Sequence, residues 1–302
     1  MKRSPHLWAV GCGLALMAAV LVAPAASSSA ATNTAPKPSS TACGAKIYKS
    51  TGQAWTCTFA DDFSGFTLDS KKWTTQQTAL SGLHSGIECL VNTRNNVAVS
   101  GGTLQLTVRK EAKPFTCKNP YGYYTTQYTS GGVTTTGKFA QAYGRFEFRA
   151  KISPAQVGGL QSSFWLYPTS SKYGVWPGSG EIDVAETYSN YPDRAIPYIH
   201  YLHSLDADPV TNTQCKIANM SSFHTYVAEW TTTGVTISYD GVPCLTHRWS
   251  ALLPLTGSKP FDQPFSIIIT QVLGGALSTN AFNPASTPLP ASTVVDWVRA
   301  WS

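Results

Sequence analysis

The 302-residue sequence contains little charge. Aspartate, glutamate, lysine and arginine together make up 13% of it, and the formal net charge at pH 7 is +6; in globular proteins about 25% of the residues are charged. No segment concentrates lysine and arginine in the way that nucleic-acid-binding surfaces do. Nucleic acid is therefore not expected among the partners of this protein.

Metal-binding motifs and helical patterns are also scarce. No Cys-x-x-Cys pair and no histidine-rich cluster occurs, which argues against a zinc site. Helix-like hydrophobic periodicity hardly appears, and no internal repeat is visible. Nothing in the sequence implies an organic cofactor.

The longest apolar run lies at the N-terminus. The chain opens with MKRSPH, continues through the apolar residues Leu7 to Val22 and then becomes rich in alanine and serine, as secretory signal peptides do. A retained membrane anchor is the alternative, but the run is barely long enough to span a bilayer. Residues 1–31 are therefore predicted to be a signal peptide, and the mature protein is expected to be secreted, extracellular and free of the membrane.

The segment after the predicted signal peptide is polar, small and proline-containing. Residues 26–41 offer nothing to pack, so they are predicted to be disordered. No second linker follows, and the remaining length suits one large all-β domain. The predicted organisation is a short N-terminal lead-in over 32–57 and a single domain over 58–302.

Six cysteines remain once Cys12 is removed with the signal peptide. An even number of cysteines in an exported chain favours disulfides. The sequence alone does not choose among the possible pairings. Pairing of neighbours closes short loops and is the prediction adopted: Cys43 with Cys57, Cys89 with Cys117, and Cys215 with Cys244.

Alternation of polar and apolar residues recurs along the chain. The segments GTLQLTVRKE, GRFEFRAKI, HTYVAEW, GVTISYDG and VVDWVRAW alternate in this way and are separated by glycine, proline, asparagine and serine, as half-buried strands are. The segment PFSIIITQVLGG is apolar on both sides, which indicates a strand buried on both faces. Many short strands with turn signals predict an all-β sandwich or jelly roll.

The stretch GSGEIDVAETY, residues 178–188, places three carboxylates within six positions. In a strand, Ile182 and Val184 would face the core, while Glu181 and Asp183 would face the opposite side. Glu186 would then point to the wrong face. A β-bulge that uses Ala185 as its extra residue would return Glu186 to the side of the other two acids.

Three carboxylates on one face are costly, because like charges raise one another's pKa. Retaining glycoside hydrolysis gives such a cluster a purpose: it needs an ionised nucleophile and a protonated acid about 5–5.5 Å apart. A solvated acidic edge and a calcium site built from carboxylate oxygens are the alternatives.

The segment GEIDVAE resembles the active-site motif of the family-16 glycoside hydrolases, Glu-x-Asp-x-x-Glu, in the bulged form of laminarinase-like members. Segments from FADDFSGFTLDSKKW through FWLYP and PFDQPFSIIITQVLGG to VVDWVRAW resemble successive strands of that family over residues 58–302. The resemblance implies a concanavalin A-like β-jelly roll with a concave substrate cleft. It also implies that Glu181 is the nucleophile, that Glu186 is the acid/base and that Asp183 assists both.

The resemblance implies further site residues. It places Trp165 and Trp176 beside the cleft, where aromatic faces suit sugar rings, and Glu88 within it. Either His200 or His203 would be a cleft histidine. Asp296 matches an aspartate that binds a structural Ca²⁺ in some relatives, although a single carboxylate needs carbonyl and water ligands to hold calcium.

The function that the resemblance implies is a secreted, retaining endo-β-glucanase, acting as a monomer on β-1,3-glucan of the laminarin type without a catalytic cofactor. A β-1,3-1,4-glucanase, a galactanase, a transglycosylase and a non-catalytic carbohydrate-binding protein are the alternatives. The choice of glycan stays open because the sequence departs from many relatives near the cleft. It has Gln161 and Ser162 where they have Trp-Pro, and Ala276 and Leu277 after a Gly-Gly pair.

Overall fold

A computed structural model describes residues 41–205 and 208–302. The predicted signal peptide, Cys12 and the first part of the predicted lead-in lie outside these residues. Within the described part of the chain, no helix has the length and hydrophobicity needed to cross a membrane.

The regular secondary structure of the described residues is almost entirely β-strand, with one short helix, α1 (Thr78–Ser81). The strands are β1 (Cys57–Asp61), β2 (Thr74–Thr75), β3 (Cys89–Leu90), β4 (Val97–Ser100), β5 (Thr103–Asn119), β6 (Gly122–Thr134), β7 (Gly144–Lys151), β8 (Leu160–Pro168), β9 (Glu181–Tyr188), β10 (Ile196–His200), β11 (Val210–Thr211), β12 (His224–Trp230), β13 (Gly234–Tyr239), β14 (Val242–Arg248), β15 (Phe265–Leu273) and β16 (Ala291–Trp301).

The strands form two layers. The front sheet has the order β11-β10-β9-β8-β15-β6, with β2 also paired to β6; the back sheet has the order β4-β5-β16-β7-β12-β13-β14, with β1 paired to β16. Strands β5 and β6 pair with each other and connect the layers. Only the short β3–β6 pair is parallel among the described pairings. The predicted all-β jelly-roll sandwich is confirmed.

The hydrophobic core fills the space between the two sheets. Phe148 of β7 and Tyr226 of β12 project from the back sheet onto Phe164 of β8, with ring centroids 5.4 and 5.0 Å from that of Phe164. All three side chains are fully buried, and burial of an aromatic of this size contributes about 1.5–3 kcal/mol to stability. Strand β15 is buried along its whole length, as its two-sided apolar sequence predicts.

The three predicted disulfides, Cys43–Cys57, Cys89–Cys117 and Cys215–Cys244, are all present. The first of them ties the described part of the predicted lead-in to the sandwich. Cys43 and Cys57 pack against Trp301 of the last strand, and Thr56 exchanges backbone hydrogen bonds with Ser302. Residues 41–57 therefore pack on the same body as the predicted domain.

A hydrogen bond between the two layers supports the front sheet behind its acidic stretch. The Tyr239 hydroxyl of β13 donates to the backbone oxygen of Val184 in β9 over 3.0 Å, and the contact is buried. Val184 lies where β9 loses register with both neighbouring strands. Because a buried carbonyl needs a partner, Tyr239 compensates for the lost ladder contact.

Tyr239→Phe is expected to lower the free energy of unfolding by about 1–3 kcal/mol, since it leaves a buried carbonyl without a donor. Tyr226→Phe is a matched control: its hydroxyl is buried with no hydrogen-bond partner among the described residues, and its ring lies 5.4 Å from that of Tyr239. Urea unfolding checks both variants. Equal losses in the two would contradict a role for the Tyr239 hydroxyl in holding the bulge.

Candidate active site

The three acids of β9 face one cleft because the strand contains a β-bulge. Phe164 of β8 pairs with Ala185, but the next residue, Trp165, pairs with Asp183, so that Val184 is passed over. Val184 and Ala185 are both fully buried in the core. The predicted bulge is confirmed, with Val184 rather than Ala185 as the residue that the register omits.

The cleft lies on the outer face of the front sheet. Its lining consists of Leu83, Ser85, Gln161, Ser163, Trp165, Glu181, Asp183, Glu186, Thr270 and Val272. No lysine or arginine occurs among these lining residues. The lining residues therefore provide three carboxylates, neutral hydrogen-bonding groups, one indole and the aliphatic side chains of Leu83 and Val272.

Glu181 lies at the start of β9, directly after a turn. Its Oε2 accepts a hydrogen bond from the Trp176 indole Nε1–H over 2.5 Å. Burial and then the charge of Asp183 raise the pKa of Glu181 well above its usual value, while the charge of His200 and the indole hydrogen bond oppose the shift. Trp176 and His200 thus favour the ionised form of a carboxyl that its surroundings otherwise neutralise.

Asp183 is the most enclosed of the three acids, with 2% of its surface exposed. Its Oδ2 lies 3.2 Å from Nε2 of His200. Burial and then the charge of Glu186 raise its pKa well above the usual value. Because the charge of Asp183 in turn raises the pKa of Glu181, these two carboxyl groups resist being ionised together.

Glu186 accepts hydrogen bonds at both carboxyl oxygens. The Gln161 amide Nε2 and the Ser163 hydroxyl both donate to Oε1 over 3.0 Å, and the Tyr188 hydroxyl donates to Oε2. Burial and then the charge of Glu186 raise the pKa of Tyr188 well above its usual value, so this hydroxyl keeps its proton. Three donors hold Glu186 in one orientation.

Both predicted tryptophans lie at the site. Trp165 is the strand partner of Asp183 and lines the cleft. Its buried indole Nε1 has no hydrogen-bond partner among the described residues. Trp176 is 39% exposed, and its ring centroid lies 5.3 Å from that of His200. The two indoles flank the carboxylates from β8 and from the loop before β9.

The structure separates the two candidate histidines. His200 pairs with Glu181 across β9 and β10 and contacts Asp183. His203 lies beyond the end of β10, where its Nε2 contacts the backbone oxygen of Asp208 over 2.7 Å. His200 is therefore the histidine at the acids.

Glu88 does not occupy the predicted position in the cleft. Its carboxyl is fully buried and accepts hydrogen bonds from the backbone N–H groups of Ser85 and Gly86 over 2.9 and 3.0 Å. Burial raises its pKa, while these hydrogen bonds oppose the shift. The expectation of direct glycan contact is corrected: Glu88 builds the loop that carries Ser85 to the cleft.

The surroundings of Asp296 do not fit a calcium ion. Its carboxylate forms an ion pair with the Arg149 guanidinium, so a cation there would have to displace a positive group already in place. No cluster of three or more histidine, cysteine, aspartate or glutamate residues that could hold a metal occurs in the described ranges.

Four polar residues at the acids were not among the predicted site residues. Gln161 and Ser163 alternate with buried residues in β8, and Tyr198 pairs with Asp183 from β10. Tyr188 lies two residues after Glu186. Period-two alternation places all four on the cleft face once the strands are assigned. The alternation is visible in the sequence, but it identifies these residues only when the pairing of the strands is known.

Comparison with known proteins identifies the family. The model of the glycosyl hydrolases family 16 matches residues 84–299. The chain is 29% identical to a glucan endo-1,3-β-glucosidase A1 of Niallia circulans, and the alignment covers 80% of this chain and 37% of that protein. It is 30% identical to a β-glucanase of Rhodothermus marinus, covering 82% and 85% of the two chains.

A solved structure agrees with these matches. The laminarinase from Rhodothermus marinus superposes with a TM-score of 0.69 at 26% identity, covering 82% of this chain and 97% of that one. The architecture and the sequence thus lead to the same family. The alignment with the Niallia protein covers little more than a third of that relative, so its remaining length has no counterpart in this match.

Asp183→Asn tests the electrostatic description of the site. The raised pKa of Asp183 means that the folded protein holds a proton which the unfolded chain has released above pH of about 4. The stability linked to that proton is fully present below this pH and is lost as the pH rises toward the folded-state pKa. The variant is therefore expected to be more stable than the wild type at pH 7.

Urea unfolding between pH 4 and 7.5 measures this difference, which should vanish toward pH 4. Asp193→Asn is a control of opposite sign, because Arg194 and Lys216 lower the pKa of this exposed carboxyl. A loss of stability in Asp183→Asn that does not change with pH would contradict the electrostatic description.

Proposed function

The chain belongs to the glycosyl hydrolases of family 16, and from this premise we propose that it is a secreted, retaining endo-β-glucanase that cleaves β-1,3-glucan. The observation that carries the proposal is the bulge in β9, because it directs Glu181, Asp183 and Glu186 into one cleft. A retaining mechanism requires two carboxyl groups that lie in one cleft and flank the scissile bond, one to attack and one to transfer a proton.

In the first step Glu181 attacks the anomeric carbon, and Glu186 gives its proton to the departing glycosidic oxygen. The C–O bond to the leaving sugar breaks as the bond to the Glu181 carboxylate forms. In the second step Glu186, now ionised, takes a proton from water, whose oxygen attacks the same carbon and releases Glu181. Glu186 thus loses one proton in the first step and regains one in the second.

The protein must place negative charge on Glu181 and a proton on Glu186. Burial and the charges of neighbouring acids raise the pKa of Glu181 and of Asp183. The Trp176 indole N–H at 2.5 Å and the nearby His200 favour the ionised form of Glu181. We infer that Asp183 holds the balance between the two glutamates, since it is the most buried and interacts with both.

A neutral glucan fits the cleft better than an anionic polysaccharide. The described lining contains three carboxylates and no lysine or arginine. Sulfate or uronate groups would therefore meet like charges with no lysine or arginine in the lining to compensate them. The indole faces of Trp165 and Trp176 provide the apolar surface that a neutral sugar ring requires.

Secretion is part of the proposal. Three disulfides close loops in the described residues, and structural disulfides persist mainly in oxidising, extracellular compartments. The N-terminal apolar run supplies the export signal. Residues 58–302 form the proposed catalytic domain, acting as a monomer on a polysaccharide.

A substrate panel tests the proposed function. Purified protein incubated with laminarin should release new reducing ends as oligosaccharides of several sizes, whereas carrageenan should stay intact because its sulfates face the carboxylates. Lichenan in the same panel separates a mixed-linkage enzyme from a β-1,3-glucanase. Cleavage of lichenan or carrageenan in place of laminarin would contradict the proposed substrate.

Glu181→Gln is the negative control in that panel and should lose activity by at least about a thousand-fold, as the removal of a nucleophile does. Glu229→Gln, a partly exposed glutamate of the back sheet paired with Arg145, is the matched control and should retain activity. In urea, Glu229→Gln should unfold near the wild-type midpoint, and Glu181→Gln should unfold at that midpoint or above it, because the raised pKa of Glu181 marks a carboxylate that destabilises the folded protein.

A further inference from the structure

The loop from Ser85 to Glu88 is held rigidly beside the cleft. The Glu88 carboxylate accepts the backbone N–H groups of Ser85 and Gly86 over 2.9 and 3.0 Å. A side chain at Gly86 would approach Oε2 of Glu88 to 2.9 Å and the backbone oxygen of Gly274 to 3.1 Å. The turn therefore closes tightly around a buried carboxyl.

The β5–β6 hairpin anchors the same loop from behind. The Tyr124 hydroxyl donates to the backbone oxygen of Glu88 over 2.6 Å, and the Thr126 hydroxyl donates to that of Ile87 over 2.5 Å. The Cys89–Cys117 disulfide joins the next residue of the chain to this hairpin. These contacts leave the loop little freedom to move relative to the front sheet.

Ser85 connects the loop to Glu186 through two successive hydrogen bonds. Its hydroxyl donates to Oε1 of Gln161 over 3.3 Å, and the Gln161 Nε2 donates to Oε1 of Glu186 over 3.0 Å. A side-chain amide has a donor end and an acceptor end. The Ser85 hydroxyl can donate or accept, whereas an ionised carboxylate only accepts. The carboxylate therefore selects the orientation in which the amide donor end faces it, and Ser85 holds that orientation by donating to the acceptor end.

We propose that Glu88, Ser85 and Gln161 form a positioning relay for Glu186, in which the loop fixes the orientation of the Gln161 amide and the amide fixes the acid/base carboxyl. Gln161 and Ser85 are positioning residues. The inference rests on the proposed function, since it assigns these residues to the proton transfer of that reaction. It also gives the buried Glu88 a purpose that direct glycan contact does not.

The size of the expected effect follows from the contacts that remain. Ser163 and Tyr188 still hold Glu186 when Gln161 is replaced, so the carboxyl is displaced rather than released. General acid catalysis contributes about 10²–10⁴-fold. Gln161→Leu should therefore lower kcat on laminarin about ten-fold or more. Ser85→Ala should lower it less, because Ser85 is exposed and water can replace its hydroxyl.

The leaving group distinguishes positioning of the acid from general damage. Dinitrophenolate departs without protonation, so formation of the glycosyl-enzyme from 2,4-dinitrophenyl β-laminaribioside does not need the acid. Laminarin does need it, because its leaving group is a sugar hydroxyl. In Gln161→Leu, kcat on laminarin should fall while the first-turnover burst of dinitrophenol stays within about two-fold of wild type.

The coupling between Ser85 and Gln161 is tested in the double variant. If Ser85 acts only through Gln161, Ser85→Ala should cause no further loss in the Gln161→Leu background. Gln105→Leu and Ser292→Ala are matched controls away from the acids: Gln105 bonds Ser100 and Ser292 bonds Thr107, all on the back sheet. Both should behave as wild type.

Each result has one meaning. A selective loss on laminarin with non-additive variants supports the relay. An equal loss with both substrates, no loss in Gln161→Leu, or additive effects would overturn it while leaving the proposed function intact. A wild-type protein that gives neither a dinitrophenol burst nor reducing ends from laminarin would overturn the proposed function and the relay together.

Discussion

One irregularity in β9 determines what the front sheet can do. In a regular strand, Glu186 would lie on the core side, where an unpaired carboxylate costs several kcal/mol. The bulge at Val184 and Ala185 buries two consecutive small apolar residues and turns Glu186 outward. The Tyr239 hydroxyl from the back sheet supports the interrupted backbone. The core of the sandwich and the chemistry of the cleft are therefore linked through the same pair of residues.

The grouped acids impose a second requirement, because burial and repulsion raise the pKa of Glu181 and Asp183. The surrounding residues distribute this charge unequally. Trp176 and His200 lie at the Glu181 and Asp183 end, while Gln161 is among the neutral donors at Glu186. The grouped acids thus destabilise the fold, and buried acids with raised pKa values are typical of functional sites.

The parts of the structure that could be predicted from sequence depend on local regularity. Period-two alternation gave the sandwich, and the spacing of Asp183 and Glu186 required a bulge, because an odd separation puts two acids on opposite faces of a regular strand. The position of Glu88 could not be predicted in this way. Its burial depends on a loop fixed by the distant β5–β6 hairpin, and strand periodicity carries no information about that contact.

The same limit applies to Gln161, which the sequence marked only as a departure from relatives. Its contacts join residues separated by 76 and 25 positions, so only the folded chain brings them together. His200 and His203 are only three residues apart. The fold separates them, because β10 ends at His200 and pairs that residue with Glu181.

The central claim is that Glu181 is the nucleophile. It is tested most directly by trapping the glycosyl-enzyme and identifying the residue that carries the sugar. A 2,4-dinitrophenyl 2-deoxy-2-fluoro-β-laminaribioside should trap the glycosyl-enzyme, because the fluorine slows both steps while the activated leaving group speeds only the first. Peptide mass spectrometry should then find one sugar on Glu181. A label on Asp183 or Glu186, or hydrolysis with inversion and no trapped adduct, would contradict the account.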